Sequence, residues 1–175
     1  KNVSSSWLTI RNYGTDSVII NGTNCPHYAY FTWDSVIEID NSNYIRITGI
    51  EINHSARGGI LVLNDPDVTH IKIDNCSIGN SSTWAIKVIQ ADNVTFENNY
   101  LYNNFCLWSG TQQSQETVSF ETVTDFTINN NSLMNNRKLT IDVKGGCKRG
   151  EICYNEMNLT AASVYSSCGV YLDTR

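Results

Sequence analysis

The chain has 175 residues, enough for one domain with a real apolar core. Its net charge of −5 and pI near 5.1, with no basic run, exclude the electrostatic footprint of a nucleic-acid binder. No apolar run approaches the length of a membrane span, and Lys1 to Trp7 lacks the apolar centre of a signal peptide.

In chain order, short apolar-alternating segments recur in pairs. A first unit runs from Trp7 to Ile20 and closes with SVIEID (35–40). Then come YIRITGIEI (44–52) with GILVL (59–63), HIKIDNCSI (70–78) with AIKVI (85–89), and NVTFENNYL (93–101) with TVSFE (117–121). DFTINNNSL (125–133) with TIDVK (140–144), and GEICYNEM (150–157) with GVYLD (169–173), complete the series. Period-two alternation, β-branched residues and frequent Asn argue for strands and against helices.

In register, Ile47, Ile73, Phe96, Ile128 and Ile152 share one column, and Ile52, Ile78, Leu101, Leu133 and Met157 share another. The anchors of the closing strands are Ile37, Ile60, Ile86, Val118, Ile141 and Val170, spaced 23 to 32 residues apart. Strands this short bury a face only by stacking on neighbouring units. With no tight Asn-Gly turn inside the pairs, parallel coils are favoured over hairpins. The fold expected is all-β, a single parallel β-helix of about six to seven coils over residues 1–175. Asn99, Asn131 and Asn155 then form an inward ladder, with Cys76 in the same column one coil earlier. No amphipathic helix stands ready to cap either end, so the reading is a segment of a longer protein, or ends covered by another chain.

The patterns DNVTFENNYLYNN, TDFTINNNSLMNN and IDVKGG…GVYLD resemble the right-handed parallel β-helix repeats of the pectin-lyase-like superfamily, from WLTIRNYGTDSVIINGT to the end of the chain. More narrowly, GGILVL, IDVKGG and GVYLD are similar to carbohydrate-active β-helix proteins of microbial surfaces. The resemblance implies a polysaccharide as partner and cleavage or binding as the functional class. Six cysteines without a metal-ligand spacing, and eight N-x-S/T sequons, lean towards an extracellular or cell-surface glycoprotein.

Candidate site residues follow from the outward columns of the closing strands. One column reads Glu38, Leu61, Lys87, Ser119, Asp142, Tyr171; the next reads Asp40, Leu63, Ile89, Glu121, Lys144, Asp173. Lys144 is thus expected one rung from Glu121 and one from Asp173, with Asp142 on its own strand. As a lyase centre, Lys144 is the base for uronate β-elimination, and Asp142, Glu121 and Asp173 hold a calcium ion that neutralises the substrate carboxylate. β-Helix lyases of the resembled superfamily use Lys or Arg bases with acidic calcium ligands. The bland alternative is an exposed ionic ladder. Two other functions stay open. One is a glycoside hydrolase with Glu121 and Asp173 about 9.6 Å apart. The other is a non-catalytic glycan-binding or structural surface module using the aromatics of NCPHYAYFTW (24–33) and FCLWSG (105–110). His54 and Arg57 are expected to solvate a bend, and Cys147, Cys153 and Cys168 to staple the last coils.

Overall fold

The structure is a computed structural model that describes residues 6–23, 35–63, 68–105, 116–136, 139–158 and 168–173. Among these residues every regular element is a β-strand, and the strands fall into six coils of three. The first coil holds β1 (Leu8–Arg11), β2 (Ile19–Asn21) and β3 (Ser35–Ile39); the second holds β4 (Ile45–Thr48), β5 (Glu51–Asn53) and β6 (Gly58–Val62). The third holds β7 (Thr69–Asp74), β8 (Ser77–Gly79) and β9 (Ile86–Ile89), and the fourth β10 (Asp92–Glu97), β11 (Tyr100–Tyr102) and β12 (Glu116–Glu121). The fifth holds β13 (Thr124–Asn129), β14 (Ser132–Met134) and β15 (Leu139–Lys144), and the last β16 (Glu151–Cys153), β17 (Glu156–Asn158) and β18 (Cys168–Leu172).

Equivalent strands of successive coils pair in parallel to build three six-stranded sheets. The first runs β1-β4-β7-β10-β13-β16, the second from β2 to β17, and the third β3-β6-β9-β12-β15-β18. The architecture is the expected solenoid, with a third short strand per coil. Ile47 pairs with Ile73, Ile73 with Phe96 and Phe96 with Ile128, and all four are fully buried. Ile52, Ile78, Leu101 and Leu133 line the second sheet in the same way, and Ile60, Ile86, Val118 and Ile141 the third. At the terminal coils the inward columns are open to solvent: Leu8 and Ile10 at one end, Val170 and Leu172 at the other.

The corners explain the asparagines. Each coil turns by placing one residue in the left-handed region, where a Cβ is disfavoured and Asn is the side chain tolerated best after Gly. After the first sheet that residue is Asn75, Asn98 or Asn130, with φ between 53 and 57°. After the second it is Asn80, Asn103 or Asn135. Immediately inside the first corner the expected ladder forms: Asn99 Oδ1 accepts from the Cys76 amide at 2.9 Å, Asn131 Oδ1 from the Asn99 amide at 2.9 Å, and Asn155 Oδ1 from the Asn131 amide at 3.0 Å. A second ladder, absent from the sequence reading, lies inside the next corner. There Asn104 Oδ1 accepts from the Ser81 amide, and Asn136 Oδ1 from the Asn104 amide. Four of the sequon asparagines have left-handed backbones, Asn75, Asn80 and Asn130 at corners and Asn93 within β10, which gives them a reason to be Asn apart from glycosylation.

Aromatic rings lie against glycines of adjacent coils. A Cβ at Gly58 would meet the Trp84 indole at 1.9 Å, one at Gly79 the Tyr102 ring at 2.2 Å, and one at Gly150 the Phe126 ring at 1.9 Å.

Candidate functional site

The third sheet carries the predicted site residues, and its register matches the expected columns. Glu38 pairs with Leu61, Leu61 with Lys87, Lys87 with Ser119, Ser119 with Asp142 and Asp142 with Tyr171. In the second column Ile89 pairs with Glu121 and Glu121 with Lys144. Asp173 follows the Val143–Leu172 pair, its amide donating to the Val143 carbonyl at 2.9 Å.

The middle of this outer face is not the solvent-washed sheet that the reading assumed. Leu61, Lys87, Ser119 and Asp142 are each no more than 2 % exposed. Trp84 forms part of the layer around them. Its indole lies over Gly58, its Nε1 donates to Ser35 Oγ at 3.4 Å, and the Lys87 ammonium stands 5.6 Å from its ring centre.

Within this layer Lys144 turns away from a simple rung-by-rung ladder. Its Nζ lies 2.8 Å from Asp142 Oδ2 and 2.8 Å from Glu116 Oε1. Glu116 is buried at the start of β12, five residues before the expected partner Glu121. Column alignment missed it because a lysine stem of four methylenes reaches diagonally across the sheet. The one available clue was an acidic residue directly preceding TVSFE.

Burial works against charge on Lys144, but the hydrogen bonds and charges of Asp142 and Glu116 outweigh it and hold the ammonium protonated well above the ordinary lysine range. Asp142 moves in the unfavourable direction for an anion: burial pushes its carboxyl up, Glu116 adds to that, and Lys144 only partly opposes it. Burial also pushes Lys87 down. Two hydroxyl or carboxylate oxygens in this column, Ser119 Oγ and Asp142 Oδ1, are buried without a hydrogen-bond partner among the described residues.

These residues do not fit the calcium reading. Asp142 gives one oxygen to Lys144, and among the described residues no three acidic, His or Cys side chains converge as a cation site. Calcium is a hard ion that needs six to eight oxygens. A lysine held protonated is equally unsuited to abstract a proton.

An open feature lies one step along the chain. At the corner between the third and first sheets, Gln90, Ala91, Asp92, Thr122 and Thr124 line a groove of about 320 Å³. Gln90 and Thr122 are the left-handed corner residues of adjacent coils, φ 51 and 57°, and their amides donate to the Glu121 and Lys144 carbonyls. Asp92 and Thr124 are register partners joined through Thr124 Oγ1 and Asp92 Oδ1. Thr122 Oγ1 donates to the Gly145 carbonyl at 2.9 Å. One coil further on, Arg149 clasps Asp125 with two 2.6 Å hydrogen bonds. Nothing in the sequence reading singled out this groove; the signal was the recurrent break after each closing strand, where Gln90, Thr122 and Gly145 are equivalent.

The family model of the right handed beta helix region matches residues 6–174. The chain belongs to that family. No curated protein and no solved structure matches it.

Other candidate residues of this β-helix are dispersed. His54 is exposed at a corner, whereas Arg57, expected to solvate the same bend, is buried. His70 stacks on Tyr44 with ring centres 4.4 Å apart. Cys76, Cys147 and Cys153 are free thiols, so Cys147 and Cys153 do not staple each other. Burial pushes the Cys76 thiol up to about 11, which makes it a packing residue and not a nucleophile. The stretch 24–33, and residues 106–110 of FCLWSG, lie outside the described residues; Phe105 itself is buried.

Proposed function

We propose that this β-helix is a non-catalytic domain that binds a neutral polysaccharide at an extracellular or cell-surface address. The groove lined by Gln90, Asp92, Thr122 and Thr124 carries the reading. The Gln90 amide offers donor and acceptor in one plane, Asp92 a carboxylate, and the Thr122 and Thr124 hydroxyls, whose protons go to the Gly145 carbonyl and to Asp92 Oδ1, offer acceptor lone pairs, with Ala91 lining the same groove. That combination suits the adjacent hydroxyls and C–H faces of a sugar ring.

The charge of the site argues for a neutral ligand. Asp92 repels a uronate, and of the cations around it Lys87 is buried in the sheet, Lys144 is engaged by Asp142 and Glu116, and Arg149 by Asp125. The same ion pairs weigh against Lys144 as an elimination base and against Asp142 as a metal ligand.

The test is a panel of neutral and acidic polysaccharides run in affinity gels. In parallel the ultraviolet absorbance of unsaturated uronate is followed with calcium and with chelator. Retardation by a neutral polymer, lost in Asp92→Ala, and a flat absorbance trace are expected. Rising absorbance that Lys144→Met abolishes would overturn the reading in favour of a lyase.

A further inference from the structure

The outer side of the second sheet, a different face, carries a pair of stacked tyrosines. Tyr100 and Tyr102 project from β11 with ring centres 5.3 Å apart and planes within 20°. Tyr102 lies over Gly79 of the preceding coil, its register partner, and a Cβ there would sit 2.2 to 2.4 Å from three ring atoms. The missing side chain is what lets the ring settle against the sheet. Tyr100 is 46 % exposed. A large aromatic left this open, stacked on a second ring fixed in orientation, offers an apolar surface to solvent.

The rim beside the rings is polar and already oriented. Tyr102 Oη donates to Glu51 Oε1 at 3.3 Å, Asn53 Nδ2 donates to the same oxygen at 3.1 Å, and Asn80 Nδ2 donates to Asn53 Oδ1 at 2.8 Å. Burial and the neighbouring Glu51 raise the Tyr102 phenol above its ordinary value, so it stays a donor. Ser77 and Ser132 flank Tyr100 as its register partners in the two adjacent coils.

We propose that Tyr100 and Tyr102 form a stacking platform for one pyranose ring of a neutral glycan, with Glu51, Asn53, Ser77 and Ser132 receiving its hydroxyls. The aromatic faces take the C–H face of the sugar, and the carboxylate of Glu51 selects against a uronate. The platform rests on the reading that this chain binds neutral glycans, but not on the corner groove, which lies on another face.

The experiment is a ring-proton NMR titration of the whole chain with cello-, manno- and galacto-hexaoses, in wild type, Tyr100→Thr, Tyr100→Phe and Asp92→Ala. Thr keeps a strand-forming residue, and Phe keeps the ring. Expected are shifts of the Tyr100 and Tyr102 rings with at least one sugar, an affinity at that surface reduced about fivefold in Tyr100→Thr, and near wild-type behaviour in Tyr100→Phe. Ring shifts that persist in Asp92→Ala uphold the platform even where the groove reading fails. Unmoved tyrosine rings, or equal affinity in Tyr100→Thr, overturn the platform even where Asp92→Ala shows that the groove binds. No response to any hexaose overturns both.

Discussion

Asn99 and Asn131 stand 32 residues apart in sequence and one coil apart in space, where Asn131 Oδ1 accepts from both the amide and the side-chain Nδ2 of Asn99. Asn131 Nδ2 in turn donates to the Phe96 carbonyl at 3.1 Å and to Asn155 Oδ1 at 2.9 Å. One carboxamide therefore replaces the hydrogen bonds that three coils lose where the chain leaves one sheet for the next. A leucine there would fill the space and leave those groups without partners.

Asn131→Ala strands a buried amide, a buried carboxamide and a buried carbonyl, each worth about 1–3 kcal/mol when left unmade. The expected loss is at least about 3 kcal/mol. Urea unfolding should report it as a lower midpoint at unchanged slope.

Asp74 sets the acid limb of stability. Burial pushes its carboxyl up, but the paired hydrogen bonds of Arg46 at 2.8 and 2.7 Å, with the charge of Lys72 and the Thr48 hydroxyl, prevail and hold it below the ordinary value. A carboxyl depressed on folding stabilises above its unfolded value, about 3.9, and that stabilisation is lost as pH falls through the folded value. Asp74→Asn should cost about 2 kcal/mol at neutral pH, as hydrogen bonds to a charged group do. Thermal melts of the two proteins should begin to converge below about pH 4 and meet only once pH lies below the folded value.

The fold was legible in the sequence because its signal repeats. Ile47, Ile73, Phe96 and Ile128 announce the same inward position four times, and the ladder of Asn99, Asn131 and Asn155 recurs at the same offset. The site was legible only as far as backbone register reaches. Glu121 and Lys144 are neighbours as expected, yet the Lys144 ammonium goes to Glu116 and Asp142, a choice made by side-chain length and by what covers the sheet. Burial of Lys87, Ser119 and Asp142 on a nominally outward column depends on the layer around Trp84, which no periodicity encodes. The third strand of each coil was too short, at three residues, to separate from its neighbour by alternation alone.

Lys144→Met leaves Glu116 and Asp142 buried together without their shared cation. Losing one partner of a buried charge cluster costs about 3–5 kcal/mol. The deficit should shrink as pH falls, because protonating the stranded carboxyls removes their repulsion. Restoring neutrality with Glu116→Gln and Asp142→Asn should recover part of the loss at neutral pH. In wild type the contribution of Lys144, whose folded value is raised, is fully present below the unfolded value near 10.4 and lost as pH rises through the folded one. Chemical denaturation at several pH values checks both limbs.

Gly58→Ala places a methyl where the Trp84 indole lies. Overpacking of this kind costs about 1–3 kcal/mol. Displacement of the ring should also appear in the near-ultraviolet circular dichroism, whereas alanine at Gly169, whose Cβ position meets only Met157 Sδ at 3.5 Å, should leave that signal unchanged.

The central claim concerns the corner groove, and methyl NMR addresses it most directly through Ala91, Thr122 and Thr124. Titration with neutral hexose oligosaccharides should shift these three methyls together and saturably, with the response lost in Asp92→Ala. Methyls that stay fixed under every neutral sugar, or that move only with a uronate polymer and calcium, would contradict it.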